Sequence, residues 1–181
     1  VQECGVGPVT LRIEPGTGRL AFAGPPVTAE VLDDGLRVAV VAALGVDPAL
    51  VLDAQVLDNG PRWHVLRLAD AAAVLALTPD MAALAATGVG VGVVGAHTEG
   101  DADVEVRGFL PAGGIPEDPV TGSLNAGIAT WLRATGRAPA SYVAAQGAAL
   151  GRAGRIHIND DGENIWVGGD TTTVIEGTVT L

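Results

Sequence analysis

The sequence predicts an α+β fold in which short strands outnumber helices. Several segments of the 181 residues alternate apolar and polar side chains and end at glycine- or proline-rich turns, as half-buried strands do. One segment, SLNAGIATWLRATG, instead brings four apolar residues onto a single helical face: Leu124, Ile128, Trp131 and Leu132. These two patterns predict many strands and one well-formed helix.

The chain begins with a predicted hairpin, VTLRIEPGTGRLAFAGPP. Residues 9–23 form two alternating strands around the turn Pro15–Gly18. The pair Pro25-Pro26 then interrupts regular structure. We therefore place a boundary there, with residues 1–25 as the strand-rich end of a first lobe and residues 26–170 as a second lobe.

The middle of the chain combines short helices with a second hairpin. A helix is predicted over residues 36–44, ended by a glycine C-cap. A hairpin is predicted over 51–68, where Asn59-Gly60 supplies the positive-φ residues of a tight turn. Residues 69–88 are rich in Ala and Leu and read as helix, interrupted at Thr78-Pro79, with Thr78 as the N-cap of a helix that begins at Pro79.

Strands and the main helix fill the second half of the chain. Strands at 89–96 and 103–111 lead into the loop GIPEDPVTGS, and the central helix follows at 123–135. Gly127 inside that helix costs about 1 kcal/mol relative to Ala, which predicts close packing at this position. The strands SYVAAQG, GRIHIND and NIWVGGD come next, and residues 171–181 are predicted as a closing strand.

Composition and charge exclude several classes of function. The chain has 21 acidic and 10 basic residues and a net charge of −11, which argues against nucleic-acid partners and anionic membranes. No apolar run is long enough to span a bilayer. The single cysteine fits a reducing cytoplasm and excludes a multi-cysteine zinc site, and the three histidines lie on different elements, so we expect no metal site.

The start of the main helix carries the strongest functional pattern. Thr121, Gly122 and Ser123 lead into it, where the first N–H groups lack partners and the helix dipole is positive. A glycine there lets a ligand approach the backbone, so the segment suits a small carboxylate. Asp118, stiffened by Pro119, can accept a hydrogen bond from a substrate amine or hydroxyl, or relay a proton.

A structural explanation of the same residues competes with the functional one. Thr121 or Ser123 can simply cap the helix, with acidic residues near its first turn, and spacing alone favours this interpretation because such caps are common. The preceding Gly-Ile-Pro-Glu-Asp-Pro is more elaborate than a cap needs. Glu117 and Asp118 are adjacent, so we expect their side chains to point apart.

The segment RGFLPAGGIPEDPVTGSLNAGIATWL resembles the signature of the PhzF-like family of phenazine biosynthesis. NGPRWHVLRL, RLAFAGPP and IWVGGDTTTVIEGTVTL are similar to further strands of that family. The resemblance implies a diaminopimelate epimerase-like fold, in which two lobes each wrap strands around a central helix and enclose the active site between them. This chain would hold one nearly complete lobe and the tail of the other.

The resemblance also implies a chemistry. Family members act without cofactor or metal, moving a proton beside a carboxylate or amino group, which predicts an isomerase or epimerase for a small amino- or hydroxy-carboxylate. Asp118 and Ser123 match the second-lobe catalytic residues, and Gly122 matches the glycine whose N–H holds the substrate carboxylate. Ser123-Leu124-Asn125 replaces the common Ser-Ala-His, which we interpret as a subfamily variant.

The resemblance places the principal acid/base, a glutamate, in the first lobe, together with a histidine-bearing motif. We expect both to be absent from this chain, which would then be inactive alone and would work as a homodimer or with a complementing first-lobe chain. The alternative is a non-catalytic half-module that binds small carboxylates or serves oligomerisation.

Overall fold

Strands make up most of the regular structure. The computed structural model describes residues 2–5 and 7–178. The strands are β1 (Gln2–Cys4), β2 (Gly7–Val9), β3 (Leu11–Ile13), β4 (Leu20–Ala23), β5 (Thr28–Val31), β6 (Val51–Asp58), β7 (Arg62–Leu68), β8 (Gly90–Ala96), β9 (Val104–Leu110), β10 (Ile115–Asp118), β11 (Ser141–Gln146), β12 (Gly154–Asp160) and β13 (Ile165–Gly169). The α-helices are α1 (Asp34–Leu44), α2 (Ala71–Leu75), α3 (Met81–Ala86) and α4 (Gly122–Ala134), with 3-10 turns at Pro48–Leu50, Pro111–Gly113 and Ala148–Leu150.

One large mixed sheet joins nearly all of these strands. Its order is β3-β4-β13-β12-β11-β9-β8-β7-β6-β5, with β10 added beside β9, while β1 and β2 pair separately. The pairs β7–β8 and β9–β11 are parallel and the other neighbours are antiparallel. Because β4 pairs with β13, Phe22 lies opposite Val167, and the hairpin from the start of the chain continues the same sheet.

The sheet separates two apolar cores. Neighbouring residues on a strand point to opposite faces, so Val65 packs in the core with α4 whereas Leu66 packs in the core with α1, α2 and α3. Leu57 and Val56 on β6 divide in the same way. The strands of this half of the sheet are thus covered on both faces, which explains the continuous apolar sequence of β8.

Helix α4 is the most buried helix. The four residues of its predicted apolar face are all buried: Leu124, Ile128, Trp131 and Leu132. A Cβ atom on Gly127 would stand 3.4 Å from the Cβ of Leu57 on β6, which is an ordinary van der Waals contact. The helix therefore contacts β6 here, but the prediction that close packing requires glycine at this position is not confirmed.

The hairpin predicted over residues 9–23 is present in shorter form as β3 and β4, because Val9 belongs to β2 and pairs with Gln2. The hairpin at 51–68 is present, and α1 ends at Gly45 as expected. Two local predictions were wrong. Asn59 does not adopt positive φ, since every positive-φ residue in the described chain is a glycine; Asn59 is buried and bonds to α4 instead. The N-cap of α3 is Asp80, whose carboxylate accepts from the N–H groups of Ala82 and Ala83, so Thr78 does not cap it. A carboxylate that reaches two N–H groups is the stronger cap.

The C-terminal segment is extended and exposed. Residues 170–178 form no strand, and residues 179–181, the rest of the predicted closing strand 171–181, lie outside the described residues. Val174 and Ile175 are 86% and 89% exposed. Within the part of the chain that the structure covers, no helix has the length and apolar character needed to cross a membrane.

Candidate functional site

The four predicted site residues share one turn between β10 and α4. Asp118 is the last residue of β10, paired opposite Gly108 on β9. Thr121 occupies the N-cap position of α4, and the helix begins at Gly122, followed by Ser123. Strand β10 therefore places the carboxylate of Asp118 beside the amino end of the most buried helix.

The hydroxyl groups of this turn do not cap the helix. Thr121 Oγ1 donates to Asp118 Oδ2 at 2.7 Å, and in the described chain the N-cap residue makes no side-chain hydrogen bond to the helix backbone. Ser123 Oγ instead accepts the indole N–H of Trp63 at 3.1 Å. The expectation that Thr121 or Ser123 caps α4 is thus wrong, because each hydroxyl is engaged by another side chain.

The uncapped end of α4 borders a cleft of about 420 Å³. Gly122 and Val120 form one edge, and Phe22 from β4 lies beside them. A Cβ atom on Gly122 would stand 3.2 Å from the ring of Phe22, so close packing also favours glycine at this position. Arg155 and Asp170 also line the cleft, so it combines apolar walls with charged groups.

Two buried amide side chains, Gln146 and Asn125, support the turn through hydrogen bonds. Gln146, at the end of β11, is 1% exposed, and its side chain bonds to Asp118 O, Thr121 N and Thr121 Oγ1 at 2.9, 3.1 and 3.0 Å. Asn125, also 1% exposed, donates from Nδ2 to Thr121 O at 2.9 Å and to Gln146 Oε1 at 2.8 Å. The turn is therefore held by two side chains that water does not reach.

Glu117 and Asp118 point to different partners, as the sequence predicted. Both carboxylate oxygens of Glu117 accept from Arg107 at 2.9 Å, and this pair is almost completely buried. Arg107 Nη1 also donates to Leu77 O at 2.8 Å. Glu117 is thus committed to an internal ion pair, which leaves Asp118 as the carboxylate of the turn.

Four residues that sequence reasoning missed shape this site: Asn59, Trp63, Asn125 and Gln146. Asn59 Nδ2 donates to Ser123 O at 2.9 Å, so both Asn59 and Trp63 hold the first turn of α4. The available signal was an isolated polar residue in an apolar setting: Asn125 within the buried helix and Gln146 at the end of an apolar strand.

The potential metal ligands in the described part of the chain do not cluster. Across residues 2–5 and 7–178, no group of three or more His, Cys, Asp and Glu side chains is arranged to hold an ion. His64 lies on β7, His97 just after β8 and His157 on β12.

A sequence model of the family described as phenazine biosynthesis-like protein, PhzC-PhzF, matches residues 1–177. The chain belongs to this family. The match confirms the resemblance drawn from the Glu-Asp-Pro-Val-Thr-Gly-Ser segment.

Individual proteins and solved structures to which the chain is similar agree with the assignment. An uncharacterised isomerase of Deinococcus radiodurans is 38% identical over 105 residues, which cover 53% of this chain and 34% of that protein. The crystal structure of a Bacillus anthracis phenazine biosynthesis protein of the PhzF family matches with a TM-score of 0.71 at 14% identity, covering 91% of this chain and 62% of that one. The structure of a predicted epimerase from Pseudomonas aeruginosa matches with a TM-score of 0.68 at 22% identity, covering 89% and 59%.

These comparisons establish a mixed α+β fold with a large mixed sheet, shared with the PhzF family. The chain spans about a third of the Deinococcus relative and about three fifths of the two solved chains.

Proposed function

We propose that this chain carries one half of the active site of a cofactor-independent isomerase or epimerase that moves a proton on a small amino- or hydroxy-carboxylate. One observation carries the proposal: Thr121 turns its hydroxyl away from α4 and gives it to Asp118. A helix start built only for stability would use that hydroxyl as a cap. The names of the Deinococcus isomerase and the Pseudomonas predicted epimerase support the same reaction class.

The amino end of α4 is suited to a substrate carboxylate. Its first N–H groups carry partial positive charge, and Gly122 lines the adjacent cleft. Removing the proton from the carbon next to a carboxylate sends the electron pair into the carboxylate and places a second negative charge there. Preorganised N–H groups and the Ser123 hydroxyl would stabilise that charge as it develops.

Asp118 and Ser123 are the catalytic residues of this proposal. Asp118 would accept a hydrogen bond from the substrate's amino or hydroxyl group or take part in proton return, and Ser123 would bind the carboxylate together with Thr121 and Gly122. The base that first removes the proton would be a glutamate of the first lobe, contributed from outside residues 2–178. Returning the proton to the opposite face gives an epimer, and returning it to another carbon gives an isomer.

We also propose that α4 is the central helix of a lobe wrapped by the sheet. The helix approaches both β4, through Gly122 and Phe22, and β6, through Gly127 and Leu57, although these strands lie far apart in the sheet order. Residues 1–25 would be the end of a first lobe, and a homodimer partner or a first-lobe chain would complete the cleft.

Proton exchange in D2O tests the function. We expect the protein with its complementing lobe or chain to remove the α-proton signal of one member of a panel of small amino and hydroxy acids, and we expect Asp118→Asn to slow this exchange by about 100-fold or more. Intact-mass analysis and co-purification would identify the complement. A homogeneous 181-residue chain that turned over a substrate alone would contradict the half-site proposal.

Ligand binding separates the enzyme from the alternative, a half-module that binds small carboxylates or serves oligomerisation. Thermal-shift screening of the isolated chain should find a carboxylate whose binding is lost in Ser123→Ala. Binding that survives the combined Gly122→Val and Ser123→Ala change would place the ligand elsewhere. Binding at this site without exchange in the completed protein would favour the half-module.

A further inference from the structure

We propose that Gln146 is the positioning residue of this site: its amide fixes the direction of the Thr121 hydroxyl and so holds Asp118 with one carboxylate oxygen free for a ligand. The ligand's identity rests on the proposed function, whereas the positioning rests on the hydrogen bonds alone. Gln146 comes from β11, a strand that sequence motifs did not connect with the site.

The orientation of the Gln146 amide is determined by backbone partners. Thr121 N–H can only donate, so the atom 3.1 Å from it is the amide oxygen. Asp118 O can only accept, so the atom 2.9 Å from it is the amide nitrogen. With Asn125 Nδ2 as the second donor to the oxygen and Thr121 Oγ1 as the second acceptor for the nitrogen, all four hydrogen-bonding positions of the amide are filled.

This orientation sets the direction of the next hydrogen bond. Gln146 Nε2 donates to Thr121 Oγ1, so the single proton of that hydroxyl is directed to Asp118 Oδ2, 2.7 Å away. The chain of donors therefore runs from Gln146 through Thr121 to Asp118. Asp118 Oδ1 has no hydrogen-bond partner among the described residues, and it stays available as an acceptor.

Close packing fixes the turn on Gln146. Gly147 follows it with φ of +94°, and a Cβ atom there would stand 2.7 Å from Pro119 O. On the other side, a Cβ atom on Gly108 would stand 3.1 Å from Thr121 Oγ1. Two glycines thus let the backbone of β9 and β11 approach the turn, and the amide network has little room to rearrange.

The network also indicates which ligand groups fit. The Trp63 indole donates to Ser123 Oγ, which leaves the Ser123 proton free to be given to an acceptor such as a carboxylate. Asp118 Oδ1 is an acceptor for a donor on the same ligand. A carboxylate that bears a hydroxyl or amino group can bind both the Ser123 hydroxyl and Asp118 Oδ1, whereas a simple carboxylate can bind only the Ser123 hydroxyl.

Paired substitutions test the positioning role without a ligand. Gln146→Glu keeps an oxygen for the Thr121 N–H but has no N–H to give, and Thr121→Val removes the hydroxyl while Thr121→Ser keeps it. Three-bond NMR couplings should show one χ1 rotamer for Asp118 in the wild type and Thr121→Ser, and rotamer averaging in Gln146→Glu and Thr121→Val. The Thr121 amide should stay protected from hydrogen exchange in Gln146→Glu. If Gln146 only stabilised the fold, Gln146→Glu would change the Asp118 rotamer and the protection of the Thr121 amide together. A fixed Asp118 rotamer in Gln146→Glu would overturn the proposal.

Binding of lactate and propionate measures the consequence for a ligand. Lactate has the hydroxyl that Asp118 would accept and propionate lacks it, so the wild type should prefer lactate by about tenfold. Gln146→Glu should reduce this preference towards one, and the ratio of the two affinities is the readout, because the added negative charge would weaken both carboxylates alike. If the wild type bound neither acid, the proposed carboxylate site would fail, and the Asp118 rotamers would still decide the role of Gln146.

Discussion

Arg107 and Glu117 form a bidentate ion pair with both nitrogen–oxygen distances at 2.9 Å and side chains only 5% and 6% exposed. Arg107 also donates to the carbonyl oxygens of Val74 and Leu77, which ties α2 to β10. Since Glu117 immediately precedes Asp118, this pair fixes the β10 end of the turn formed by residues 118–123, and Gln146 supports the same turn through Thr121.

We predict that removing one partner of this pair is costly. Arg107→Met or Glu117→Gln should lower the free energy of unfolding by about 3–5 kcal/mol, because each leaves a buried charge without its partner. The double variant should lose less than the sum of the two. Urea unfolding measures the change, and Arg133→Met, which breaks the more exposed pair with Asp160, is the matched control with a much smaller effect. Equal effects at the two sites would contradict the argument.

Elements with a strong local pattern were predictable from the sequence. The apolar face of α4 and the hairpin turns followed from periodicity and from glycine and proline positions, because those signals act within a few residues. The N-cap of α3 was misplaced by two residues because Thr78 and Asp80 are both good capping residues and flank the same proline.

Asp118→Asn should reduce catalysis strongly with little loss of stability. The variant keeps an oxygen that can accept the Thr121 hydroxyl, so the change in unfolding free energy should stay within about 1 kcal/mol. Loss of a carboxylate that takes part in proton transfer should lower kcat by about 100-fold or more. Proton-exchange rates of the completed protein and a thermal melt measure the two effects. A melting temperature that fell in proportion to activity would support a structural role only.

The supporting half of the site could not be predicted, because it depends on residues distant in sequence. Asn59 is 64 residues from the Ser123 carbonyl that it contacts, and Gln146 is 25 residues from Thr121. Neither pairing follows from spacing, since it is the folded sheet that brings the ends of β6 and β11 to the start of α4. A family resemblance located the turn but gave no account of what holds it.

Gly108→Ala, on β9, should disturb the turn formed by residues 118–123. The added methyl would stand 3.0 Å from Leu124 Cδ2 and 3.1 Å from Thr121 Oγ1, so the variant should lose about 1–3 kcal/mol of stability through overpacking. Gly113→Ala is the control, because its nearest neighbour would be 4.0 Å away. Urea unfolding should separate the two variants, and the Thr121 amide resonance should shift in Gly108→Ala alone. An equally mild effect of both would show that the contact around Thr121 is looser than these distances indicate.

His64 should give the protein a pH-dependent stability on the acidic side of neutrality. Burial lowers the pKa of His64 below its ordinary value, aided by the charge of Arg62 and opposed by the contact of Nδ1 with Gly90 O. The unfolded chain then binds more protons than the folded one just below about pH 6.5, so stability is full above that pH and falls as pH decreases, by at most about 1.4 kcal/mol per pH unit.

The variant His64→Gln should lack this component. Burial raises the pKa of Glu105, which acts in the opposite sense because its stability contribution is lost as pH rises. The difference in unfolding free energy between wild type and His64→Gln cancels that background and isolates His64. Urea unfolding at pH 7.5 and pH 5.5 should show the wild type losing more stability than the variant, and identical slopes would mean that His64 titrates alike in the folded and unfolded chains.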